Sequence, residues 1–135
     1  MVKMVDLLFE RAQKALVNAY VPYSRFPVGA CILSDTGGFF VGCNVENASY
    51  GLTACAELAA ISAMVVAGDR KIAEIAVVSA QGHICPPCGG CRQRLQEFSD
   101  ANTTVHLFAK AEYVGSYNMA TLLPLPFDRS ALGEL

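Results

Sequence analysis

The chain is short of charge. Asp, Glu, Lys and Arg make up 16% of its 135 residues, hydrophobic residues 53%, and the formal net charge is -2. The ten Lys and Arg residues are scattered, with Arg92 and Arg94 the nearest thing to a cluster. That composition speaks against binding driven by phosphate charge, so no polynucleotide partner is expected. No apolar run approaches the roughly 18–20 residues of a membrane span, so no membrane partner is expected either. The first twenty residues lack the apolar core of a secretory signal, because Lys3, Asp6, Glu10, Arg11 and Lys14 interrupt them. A cytoplasmic location follows as an expectation, with the six cysteines kept reduced. Repeats, linkers and low-complexity segments are also missing. Residues 1–135 therefore read as one domain, large enough to bury a core. The surplus of apolar residues is expected to be covered between subunits.

What is present is a regular alternation of elements. Apolar residues recur at helical spacing from Met4 to Ala19, with charged residues on the other face, which predicts an amphipathic surface helix. Two prolines and three aromatics in Tyr20–Pro27 break it. Val28–Ser34 and Phe39–Asn44, joined by Asp35-Thr36-Gly37-Gly38, read as a β-hairpin. Cys55–Ala67, opened near Thr53 or Ala54 and closed by Gly68, predicts a helix apolar nearly all round and so buried on most sides. Ile72–Ser79 reads as a strand buried on both faces and Cys88–Phe98 as a short helix started by Pro87. Thr103–Ala109 and Tyr113–Tyr117 read as strands, Met119–Leu123 as a helical turn or two, and Pro124 and Pro126 after it as an extended tail ending around Phe127. Strands alternating with helices late in the chain place it in the α/β class, with a partly parallel sheet and helices on its faces.

The chemistry gathers at Pro87-Cys88-Gly89-Gly90-Cys91, two cysteines three apart at the start of a helix. Such a pair is a two-thiolate clamp for zinc. Cys55-Ala56-Glu57 upstream offers a third thiol with a carboxylate beside it. Cys55, Cys88 and Cys91 would fill three corners of a tetrahedron and leave the fourth open for water, with Glu57 moving that water's proton. Both stretches fall at helix N-termini, whose free N–H groups and partial positive charge stabilise thiolates. Cys85 extends the pattern to C-x2-C-x2-C, so Cys85/Cys88 is a possible clamp as well, and a closed structural site of four cysteines is the non-enzymatic alternative. Pro86 and Pro87 favour Cys88/Cys91, since they hold Cys85 in an extended segment. His83 and His106 have no partner spacing that would make them ligands.

These motifs resemble those of the zinc-dependent nucleobase deaminases, His/Cys-x-Glu followed by Pro-Cys-x-x-Cys. Phe26-Pro27-Val28-Gly29-Ala30, Asn44-Val45-Glu46-Asn47-Ala48-Ser49-Tyr50-Gly51, Cys88-Gly89-Gly90-Cys91-Arg92-Gln93 and Leu122-Leu123-Pro124 with Phe127 are similar to the small cytidine deaminases of nucleoside salvage. The resemblance implies a three-layer α/β/α sandwich on a five-stranded mixed sheet, one zinc per subunit and a homotetramer. It implies hydrolysis of cytidine and 2'-deoxycytidine to the uridines, with ammonia released. By motif match, Asn44 and Glu46 would hold the ribose, Phe26 would line the base pocket and the Ala56 backbone would meet the pyrimidine carbonyl. Tyr50 and Phe127 would reach into a neighbouring subunit's site. The three-cysteine members commonly carry Arg directly after the catalytic Glu, where this chain has Leu58. The helix N-termini and Arg92 are the sequence's candidates for offsetting the excess negative charge. Leucine there also resembles the blasticidin-type deaminases, so deamination of another amino-heterocycle is the second enzymatic reading.

Overall fold

The computed structural model describes residues 2–133. Five strands, β1 (Val28–Ser34), β2 (Phe39–Cys43), β3 (Ile72–Ser79), β4 (Thr104–Ala109) and β5 (Glu112–Tyr117), form a sheet in the order β2-β1-β3-β4-β5. Only β3 and β4 run parallel; the other neighbouring pairs are antiparallel. The β-branched and aliphatic residues of β1, β3 and β4 put these strands at the centre, where both faces are covered.

The two-residue period of the strands sorts their side chains into two cores. Cys31, Ala76, Val78 and Phe108 face helix α1 (Met4–Leu16), which buries Leu8, Ala12 and Leu16 on them. Ala30, Ile32, Ile75, Val77, Val105 and Leu107 face the opposite way. There they meet helices α2 (Ala56–Val66), α3 (Gly89–Glu97) and α4 (Met119–Leu122) through Ala60, Met64, Leu95 and Met119. The result is the α/β/α sandwich.

Gly42 sets the position of α2. A Cβ built there would stand 2.4 Å from the Ala56 carbonyl oxygen and 2.5 Å from the Ala60 nitrogen, so the first turn of α2 lies directly on the β2 backbone. That first turn carries the chemistry of the site.

The structure departs from the sequence reading in several places. α1 stops at Leu16, not Ala19, because the chain beyond it pairs with a distant segment: Tyr20 donates to the Asn44 carbonyl and accepts from the Glu46 N–H. The polar connection before α2 contains a 3-10 turn, Tyr50–Leu52, and beyond the extended tail the chain winds into another at Arg129–Leu132. Pro87 does not start α3 from inside. The N-cap is Cys88, whose sulfur accepts from the Cys91 N–H at 3.4 Å, and Pro87 precedes it. Within the chain α2 buries Ala56, Glu57, Ala60, Ile61 and Met64, while Val66 is 88% exposed.

Candidate active site

Two helix N-termini converge at one end of the sheet. Cys55 is the N-cap of α2 and Cys88 the N-cap of α3, both with extended backbone. Cys91 follows in the first turn of α3 and is buried. The sulfurs of Cys55, Cys88 and Cys91 lie within 4.8 Å of one another. Cys85 lines the same cavity but falls outside that cluster, which decides between the two clamps that the sequence allows. All six cysteines are free.

The charges of the cluster explain what it can hold. Hydrogen bonding from Cys91, with help from Cys88 and the Arg94 charge, brings the Cys55 thiol down to about 6. Cys91 moves the other way, pushed up by its bond to Cys55, by burial and by the nearby Glu57 charge. Cys55 ionises readily and Cys91 resists, because further negative charge would crowd a small, partly buried space. A divalent cation removes that conflict and lets three thiolates coexist, so the donor set fits zinc.

Glu57, in the first turn of α2, is 4% exposed. Burial pushes its carboxyl up, and the Cys55 charge adds to this. It lines a cavity of about 160 Å³ together with all three clustered cysteines, Ala56, Asn44, Val28 and Thr53. A buried carboxyl of raised pKa facing a metal-type cluster has the properties of a proton carrier.

A second, wider cavity of about 360 Å³ is lined by Tyr23, Ser24, Glu46, Tyr50 and Thr53. Thr53 borders both, so the inner and outer spaces adjoin. The inner one presents sulfur, carboxylate and apolar atoms; the outer one presents a carboxylate, hydroxyls and tyrosine rings. Tyr50 is 75% exposed and meets Tyr23 edge-on at 5.8 Å.

Asn44 and Glu46 both grip the segment that leads into β1. The Asn44 amide accepts from the Val28 N–H at 2.9 Å and donates to the Phe26 carbonyl at 2.8 Å. Glu46 Oε1 accepts from the Tyr23 and Ser24 N–H groups at 3.0 and 3.1 Å. The Ser24 hydroxyl and these N–H groups hold its carboxyl below the usual range. Phe26 is half-buried and lies outside both cavity linings. Phe127 is 62% exposed, accepts from Gln93 through its carbonyl at 2.7 Å, and lines a separate surface hollow with Glu97 and Arg129.

Arg92, the sequence's candidate for offsetting the charge, is anchored by backbone carbonyls. Its Nε donates to the Pro87 carbonyl at 2.8 Å and its Nη1 to the Leu122 carbonyl at 2.9 Å, tying the start of α3 to the end of α4. The arginine whose charge is felt at both Cys55 and Glu57 is Arg94. Sequence reasoning also missed Thr53, which has no motif of its own and is marked only by standing between Tyr50 and Cys55.

A three-cysteine metal cluster with a buried carboxylate, set on an α/β/α sandwich, defines a zinc-dependent hydrolytic site. Residues 3–107 match the family described as "Cytidine and deoxycytidylate deaminase zinc-binding region". The chain is 43% identical over 129 residues to a cytidine deaminase of Halalkalibacterium halodurans, covering 96% of this chain and 98% of that one. The crystal structure of a cytidine deaminase from Burkholderia pseudomallei superposes with a TM-score of 0.86 at 41% identity, covering 94% of this chain and all of that one. That of the Mycobacterium tuberculosis cytidine deaminase does so at 0.82 and 39%, covering 94% and 99%. The chain belongs to the cytidine deaminase family, and Cys55, Cys88 and Cys91 form the cluster that fits its one zinc per subunit.

Proposed function

We propose that this protein hydrolyses cytidine and 2'-deoxycytidine to uridine and 2'-deoxyuridine, releasing ammonia, as a step of pyrimidine salvage. The observation that carries the proposal is Glu57, a buried carboxyl of raised pKa sharing one small cavity with the cysteine cluster. A structural zinc knot would give it no task. The curated relatives named cytidine deaminase support the substrate.

Bound zinc supplies the Lewis acidity that makes water a nucleophile near neutral pH. The chain's own groups do the rest. The inner cavity receives the pyrimidine ring, with the Ala56 backbone at its carbonyl. Glu57 takes a proton from the attacking water and delivers it to the ring nitrogen N3. It then carries the second proton to the leaving amine, so the C4–N bond breaks as the C4 carbonyl forms and ammonia departs. The outer cavity receives the ribose at Glu46. Asn44 sets the Phe26–Val28 wall beside it and Phe26 supports the base side of that wall.

The chain works as one domain in the cytoplasm, assembled as a homotetramer. Exposed Tyr50, Leu52, Val66, Leu125 and Phe127 give it an apolar surface for that assembly, and Tyr50 and Phe127 contribute across it to neighbouring sites. Conversion of cytidine followed by loss of absorbance or by uridine formation tests the reaction, and sedimentation tests the assembly.

A further inference from the structure

The cysteine cluster and Glu57 bring more negative charge than one zinc neutralises, and residue 58 is leucine. α3 carries the cation that faces them. Arg94 lies one turn beyond Cys91, on the same side of the helix. Its side chain turns back over Gly90. A Cβ built on Gly90 would stand 3.4 Å from Arg94 Nη1 and 4.0 Å from Cys88 Sγ, so guanidinium and sulfur border the same small space. Gly90 has no side chain to separate them. Arg92 keeps its charge but directs its guanidinium to the carbonyls of Pro87 and Leu122.

We propose that Arg94 is the positioning residue that balances the charge of the three-cysteine zinc site, acting from α3 in place of an arginine at position 58 on α2. Arg94 is exposed, so its effect is modest and screened by salt.

The inference rests on the zinc reading of the site, which the parent protein's zinc stoichiometry tests separately. Zinc affinity is measured by chelator competition for the parent, Arg94→Gln, Arg94→Lys and the double variant Leu58→Arg with Arg94→Gln. At low ionic strength Arg94→Gln should bind zinc about fivefold more weakly than the parent. Arg94→Lys should keep most of the affinity, Leu58→Arg should restore it in the Gln background, and the difference should shrink at about 0.5 M salt. Equal affinity of Arg94→Gln and parent at low salt overturns the proposal. So does an Arg94→Lys variant as weak as Arg94→Gln, which would assign the loss to packing. A parent that binds no zinc removes the site reading itself.

Discussion

The Cα of Gly42 lies against the carbonyl of Ala56, so closely that a methyl group between them would come 2.4 Å from the oxygen. Strand β2 and the first turn of α2 are therefore in backbone contact, with Cys55 and Glu57 on either side of Ala56. Gly42→Ala should force α2 outward. A loss of about 1–3 kcal/mol in urea unfolding is expected, as for overpacking of a core, with weaker zinc retention beside it. An unchanged midpoint would mean that α2 is not held where it lies by this contact.

Replacing Glu57 by glutamine keeps the shape and removes the proton carrier. Zinc content should stay near the parent level, because the three sulfurs are untouched. Cytidine turnover should fall by about 10²–10⁴-fold. Single-time-point zinc analysis beside a uridine assay separates the two effects, and near-normal turnover would take Glu57 out of the proton path.

The pH profile follows from the burial of the same group. The base must be ionised in the free enzyme, so kcat/KM should decline as pH falls through the pKa of Glu57. Burial raises that pKa above its ordinary value of 4.5, which moves the acid limb toward neutrality. A limb at the ordinary carboxylate position would contradict the desolvated environment.

Glu46→Ala discriminates between substrates. It removes the carboxylate of the outer cavity and releases the Tyr23 and Ser24 N–H groups that it holds. An enzyme that reads ribose should lose most of its cytidine turnover. One acting on an amino-heterocycle without ribose, such as blasticidin S, should keep its turnover. Parallel assays on the two substrates give the answer.

Much of this was legible in the chain. The spacing of Cys55, Glu57, Cys88 and Cys91 points to the cluster because helix N-termini and i, i+3 placement are local properties. The strands Val28–Ser34 and Ile72–Ser79 match the structure for the same reason, since their aliphatic runs have no competing local preference. What failed depends on contacts far apart in sequence. The end of α1 is set by pairing of Tyr20 with the strand exit at Val45, which no window around Leu16 contains. Arg92 and Arg94 look equivalent in the sequence, but two residues on a helix are about 200° apart, so they face opposite ways. One finds the carbonyls of Pro87 and Leu122, the other the sulfur side. The proposal for Arg94 therefore rests on the turn of α3, which the sequence alone does not display.

The most direct test is a uridine-forming assay on purified protein, run with zinc quantitation on the same sample. Conversion of cytidine to uridine with about one zinc per chain, lost when the metal is chelated and regained on adding zinc, is the expected result. Stoichiometric zinc with no uridine formed would contradict the proposed reaction.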